Sequence, residues 1–190
     1  MFNPKKNMKN LKSLLLLSLL VSFLNTISAQ EMLLGVLPTI DGKVTYTEII
    51  EVKETSQKEL NNRAKSWFAK TFKASKEVIQ MNEEAQLVGK GYYTIRAGGT
   101  GLGGYEMEIW ITITIQFKEN RYRYTITDFI GKIEGQYATE QPIENWNNKW
   151  KNQKSRDKRN AKVYPEVNIG IQSIIESLKT EMNSNLSNDW

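Results

Sequence analysis

The chain reads as an α+β protein: one antiparallel sheet of about five strands with helices packed on one face. Three observations predict it. Residues 105–117 alternate apolar and polar side chains, with Trp110 as the one large apolar residue among the polar positions. Two separate stretches carry apolar residues at helical spacing. Between those stretches strand-like runs follow one another directly, where an alternating α/β fold would place a helix after each strand.

The N-terminus is read first because it changes the composition of everything after it. Lys5, Lys6, Lys9 and Lys12 form a positive region without an acid, Leu14 to Leu24 is a nearly unbroken apolar run, and Thr26-Ile27-Ser28-Ala29 supplies small residues before Gln30. That is the three-part pattern of a cleavable secretory signal over residues 1–29. A membrane span would need roughly 20 apolar residues. No cysteine is present to take a lipid anchor or to form a disulfide. The expectation is an exported protein, periplasmic or associated with the cell envelope, with no transmembrane span after signal removal.

Removing the four leader lysines from the 26 bases leaves 22 against 21 acids, so the +5 formal charge of the chain shrinks to about neutrality. The remaining bases are uneven. Lys149, Lys151, Lys154, Arg156, Lys158, Arg159 and Lys162 stand against Asp157 alone. An electrostatic partner would therefore meet one short segment, and nucleic acid is not expected.

Along the chain, Leu37-Pro38 and Asp41-Gly42 carry turn chemistry. Lys43 to Val52 then reads as a strand with Val44, Tyr46, Ile50 and Val52 on one face and Glu48 as the exception. Ser56-x-x-Glu59 is a capping-box pattern. It opens a helix to about Lys73 with Leu60, Ala64, Trp67, Phe68 and Phe72 on one stripe. Val78 to Met81 is a short strand. Leu87 to Ile95 is a longer one, in which Gly89 and Gly91 suggest a bulge or a close backbone approach. Gly98 to Gly104 is a flexible connection.

Tyr105 to Phe117 and Arg121 to Ile130 form a hairpin through Glu119-Asn120. The two-residue turn pairs Phe117 with Tyr122, Ile115 with Tyr124 and Ile113 with Ile126. On the opposite face Thr112 meets Thr127, Thr114 meets Thr125, and Trp110 lies near Phe129. Residues 135–164 read as a polar connecting segment rich in tryptophan and lysine. Pro165 is expected to open a last helix over 165–190, with Val167, Ile171, Ile174, Ile175, Leu178 and Met182 as its apolar stripe. The core domain spans residues 30–134.

Leu37-Pro38, Asp41-Gly42-Lys43-Val44 with Tyr46, Ser56 to Leu60 with Arg63-Ala64 and Trp67, Gly89-Lys90-Gly91, and Arg121 to Asp128 are similar to an exported bacterial family. It is domain-of-unknown-function family 4468, with a TBP-like fold. The resemblance covers about residues 33–130. It implies a β-α-β-β-β-β-α order and a Gram-negative envelope setting, and it brings no catalytic residues. A TBP-like shape is no warrant for DNA binding, because one fold hosts unrelated functions.

The chain has neither histidine nor cysteine. The commonest general base, the thiolate nucleophile and the main zinc ligands are therefore missing, and no cofactor, metal or catalytic residue is assigned. Gly99 to Gly104 fits G-x-G-x-x-G. A dinucleotide site needs a helix after the glycines, and here they lead into the strongest strand. Ser155 to Lys158 fits S-x-x-K, without the companion motifs of penicillin-recognising enzymes. Asp128 falls at an inward strand position, where a buried carboxylate would have a perturbed pKa and a functional role, and where a strand-end acid otherwise caps a neighbouring backbone or sits past a bulge. Glu106 and Glu108 lie on one strand face with no opposing acid in view. The candidate partner surface is Trp110 and Phe129 at one end of the open sheet face, together with Trp146, Lys149, Trp150 and Lys151. The tryptophans could equally pack a short helix onto the domain.

The expected function is that of an uncharacterised exported module that binds an envelope protein or glycan without catalysis. The alternatives are a carboxylate-dependent hydrolase of envelope glycan or peptide, centred on Asp128 or on Glu106 and Glu108, and a structural envelope component.

Overall fold

The computed structural model describes residues 31–33, 35–72, 79–97, 104–133, 139–147 and 153–184. Residues 1–30, where the secretory signal is expected, the glycine-rich stretch 98–103, and Lys149, Trp150 and Lys151 lie outside the described residues. In chain order the elements are β1 (Glu31–Leu33), β2 (Leu37–Ile40), β3 (Lys43–Val44), β4 (Tyr46–Glu51), α1 (Gln57–Thr71), β5 (Ile79–Asn82), β6 (Gln86–Ala97), β7 (Tyr105–Lys118), β8 (Arg121–Ile133), β9 (Thr139–Pro142), a 3-10 turn (Ile143–Asn147) and α2 (Gln153–Asn183).

The main sheet runs β4-β8-β7-β6-β5, with β9 beside the far end of β8, and every pairing in it is antiparallel. Its organiser is the β7–β8 hairpin. Met107, Ile109, Ile111, Ile113, Ile115 and Phe117 are buried on one face of β7 and oppose Tyr122, Tyr124 and Ile126 of β8. The register through Glu119-Asn120 is the one that alternation requires. Asn120 takes a left-handed conformation (φ 62°), and its Oδ1 accepts a bond from the Thr55 amide at 3.1 Å. Glu119 Oε1 accepts from the Gln57 amide at 3.0 Å, so a carboxylate from the turn sits at the positive end of α1.

Both helices cover the same face. Ser56 caps α1, its hydroxyl accepting from the Glu59 amide at 3.2 Å. The reciprocal half of the capping box is replaced, because Glu59 turns to Arg63 Nε at 3.0 Å. Arg63 is buried, and its Nη1 donates to the Met182 carbonyl at 2.8 Å in the last turn of α2. A cation at the negative end of a helix dipole ties the two helices together. Gly91 and Gly170 permit close packing. A Cβ at Gly91 would overlap the Phe72 ring, and one at Gly170 would overlap Tyr93. Of the two readings of Gly89 and Gly91, close approach holds at Gly91.

Several expectations are corrected. The segment from Lys43 to Val52 is split. Val44 belongs to a small sheet β1-β2-β3, Leu37-Pro38 is strand, and the turn is Asp41-Gly42, with both φ angles positive. Residues 135–164 are not merely a connection, since they hold β9, the 3-10 turn and the first part of α2. Pro165 lies inside α2 and does not open it. An internal proline costs a helix about 3 kcal/mol. Burial of Val163 and of Tyr164, whose ring stacks on Trp146 at 5.8 Å, offsets that cost.

The end of β8 departs most from simple alternation. Ile111 opposes two residues, Asp128 and Phe129, because the register slips between Trp110 and Thr112. Asp128 takes φ 53° and is exposed. This is a β-bulge, the second of the two readings of Asp128. The extra residue reverses the later alternation. Phe129 becomes fully buried, 0% exposed against Tyr46, and Trp110 pairs with Ile130 instead.

A glycine at Asp128 should therefore be neutral or slightly stabilising, by up to about 1 kcal/mol, because it relieves the left-handed backbone. Phe129→Ala should cost about 3–5 kcal/mol in urea unfolding. At the other edge Glu48 of β4 accepts from Lys179 of α2 at 2.9 Å and from the Tyr124 hydroxyl at 2.9 Å, and the Lys179 ammonium holds its carboxyl below the usual range. A depressed carboxylate stabilises above its ordinary pKa, and that contribution disappears as pH falls through the lowered value. Glu48→Gln should thus lower stability by less than about 1 kcal/mol at pH 7, since the pair is partly exposed. Thermal melts should show that difference closing in acid.

Candidate binding surface on the open sheet face

The helices leave the other face of the sheet uncovered by any described element. Its side chains form cross-strand rows. Thr47, Thr125, Thr114 and Val88 make one, and Thr127, Thr112 and Lys90 the next. Pro142, Ile130, Trp110 and Tyr92 make the third, followed by Glu140, Lys132, Glu108 and Thr94. The Thr47 and Thr125 hydroxyls are 3.1 Å apart. The middle of the face is neutral and low in relief, and one bulky row stands beside it.

Trp110 is the best-held side chain there. Tyr92 packs beside it from β6, ring centroids 4.8 Å apart and tilted by 33°. Lys132 Nζ lies 5.8 Å from its ring centroid, reaching in from β8 on the other side. Its indole N–H donates to Glu108 Oε2 at 2.8 Å. The ring is thus gripped from both neighbouring strands and at its polar edge. At the opposite end of the face Arg123 binds Gln116, which in turn meets Gln86 at 3.1 Å.

Of the six residues expected to form a partner surface, Trp110 lies on the open sheet face, and Lys149, Trp150 and Lys151 fall outside the described residues. Phe129 is buried by the bulge. Trp146 is 7% exposed, because its ring fills the space a Cβ at Gly131 would need and stacks on Tyr164. It packs a short helical turn onto the domain. Tyr92, Ile130 and Pro142 join Trp110 in its row. The Tyr92–Trp110 pair follows from the β6–β7 register, which the glycine-rich connection hides, whereas the pairing of Pro142 with Ile130 follows from a strand that the polar composition conceals.

The acids considered for catalysis do not face one another. Glu106 and Glu108 stand on the open face two residues apart, Glu108 engaged by Trp110, while Asp128 is exposed at the bulge. Among the described residues no three acids gather as metal ligands would. A cleft of about 430 Å³ lies between α1 and the β5–β6 turn, lined by Lys58, Asn61, Lys65 and Glu83 among others. Asn61 is 4% exposed and clamps that turn through its Nδ2, which donates to the Glu83 and Glu84 carbonyls at 2.7 and 3.3 Å. Its Oδ1 has no partner but is sealed from the cleft.

Burial raises the phenol pKa of Tyr46, Tyr93, Tyr122 and Tyr124, and pushes Tyr164 up to about 12. Tyr164 of α2 donates to the Ile143 carbonyl at 3.2 Å and Tyr124 to Glu48 at 2.9 Å. Tyr93 donates to the Val167 carbonyl at 2.9 Å and Tyr46 to Asn168 at 2.8 Å. Among the described residues no helix is long and apolar enough to cross a membrane.

Residues 46–130 match the family described as a domain of unknown function (DUF4468) with TBP-like fold. Two solved structures share the architecture. One, a DUF4468 family protein from Bacteroides ovatus, is 18% identical, with a TM-score of 0.63 over 82% of this chain and 95% of that one. The other, a TBP-like protein from Parabacteroides distasonis, is 14% identical, with a TM-score of 0.63 over 78% of this chain and 97% of its own. No curated protein matches the sequence. The described elements form a single α+β domain with a TBP-like fold, and its residues 46–130 are similar to the DUF4468 family.

Proposed function

We propose that this domain is a non-enzymatic protein-binding module of the Gram-negative envelope, exported by its leader, and that the open sheet face is its docking surface. The observation that carries the reading is the Trp110 cluster. An aromatic ring on an otherwise uncovered face, held in one orientation by Tyr92, Lys132 and Glu108, loses little side-chain freedom on binding. Tryptophan and tyrosine are the residues that most often anchor protein interfaces, and the neutral threonine rows beside them cost little to desolvate.

A glycan is supported less well. Sugars stack on a free aromatic face, and Trp110 is approached from both sides. Carboxylate catalysis is also supported less well, since it requires acids converging on a cleft, and these lie on a flat face and an exposed bulge.

The test is photocrosslinking of the full chain in its host, with p-benzoylphenylalanine replacing Thr114 on the open face or Gln172 on the outer side of α2. The expected result is a discrete protein adduct from position 114 that drops at least about tenfold with Trp110→Ala, and no such adduct from position 172. Identical adducts from both positions, or adducts indifferent to Trp110→Ala, would overturn the reading.

A further inference from the structure

Among the described residues the sheet has one long edge without a strand beside it. β6 is a 12-residue strand, yet β5 pairs only with Leu87, Val88 and Gly89. From Lys90 to Ala97 no described strand lies on the outer side, and no described turn or loop bonds to that backbone. Alternate N–H and C=O groups there face outward, which makes a ready template for another extended chain.

The side chains along this edge select what can pair with it. Lys90, Tyr92, Thr94 and Arg96 project on the open face, as their partners Thr112, Trp110, Glu108 and Glu106 on β7 require. Lys90 and Arg96 form no ion pair among the described residues. Antiparallel pairing of two copies in full overlap, centred on Tyr93, would set Lys90 directly opposite Arg96 twice over. Like charges directly opposite destabilise a sheet. In that register the edge is guarded against its own kind, and it is matched to acidic residues spaced six apart. Tyr92 between them offers an apolar contact continuous with Trp110.

We infer that the outer edge of β6, Lys90 to Ala97, accepts an extended acidic segment of another protein as an added strand, with acidic side chains opposite Lys90 and Arg96 and an apolar one opposite Tyr92. Main-chain bonds supply the affinity and the two cations the selection. The inference rests on the binding-module reading and names the conformation and charge of the partner.

The probe is a capped nonapeptide, Thr-Glu-Thr-Val-Thr-Val-Thr-Glu-Thr, which places its glutamates six residues apart on one face. Titrated into the 15N-labelled protein, it should shift amide resonances from 90 to 97 and slow exchange of the outward amides. The same peptide with both glutamates replaced by lysine should bind at least about tenfold more weakly. Replacing its first valine, which lies opposite Thr94, by proline should abolish binding, because an edge pairing bond is lost. In Lys90→Glu/Arg96→Glu the preference should reverse; if that variant loses its dispersed spectrum, the proline and lysine peptides on the wild-type protein decide. Equal binding of acidic and basic peptides, retained binding of the proline peptide, no binding of the acidic peptide, or shifts centred away from β6 would each overturn the inference. A failure here alongside Trp110-dependent adducts from position 114 would leave the module standing with a different partner geometry.

Discussion

The structure depends on a single row of side chains. Along β7 every second residue from Met107 to Phe117 is apolar and buried, and each is matched by an inward residue of β8 or β6. Strand geometry makes this strict: a slip of one residue would carry the whole row into water. β6, β8 and both helices are positioned by that row. The helices reach it with stripes of their own, from Leu60 to Phe72 and from Val163 to Met182. Because β7 is continuously apolar on one side only, with Trp110 alone on the other, one face of the sheet is committed to the core and the other is left to do something else.

The Asp128 bulge decides what that other face looks like. Without it, Asp128 would point into the core beside Ile111, where an unpaired carboxylate is costly. The inserted residue turns the carboxylate out, seats Phe129 against Tyr46 and lifts Ile130 into the row with Trp110. An acid that resembles a buried catalytic group in the sequence is thus the device by which the strand changes sides.

Polar groups at the margins hold the two layers together. Arg63 ends α2, Glu48 and Lys179 join the β4 edge to the same helix, and Lys70 reaches Glu181 at 2.7 Å. All of these lie on the helical side, whereas the described open face carries hydroxyls, amides, one aromatic cluster and flanking charges of both signs. The asymmetry is that of a domain stabilised from one side and available from the other.

Alternation and helical periodicity are local properties of a chain. The α+β class, the β7–β8 register, the turn at Glu119-Asn120, the Ser56 cap and both apolar stripes were therefore readable from the residues alone. Trp110 on the open face was readable for the same reason. The sequence could not say which of two tryptophans would be buried. Trp146 is placed by the space above Gly131 and the ring of Tyr164, contacts between residues 15 or more positions apart. Nor could it say that α2 runs through Pro165, because the gain that offsets the proline comes from packing against the 3-10 turn. The Phe129 position, the Tyr92–Trp110 pair and the β6 edge that no described strand covers belong to the same category. Each is set by which strands meet, and strand pairing across long loops is a property of the assembled sheet, not of any one segment.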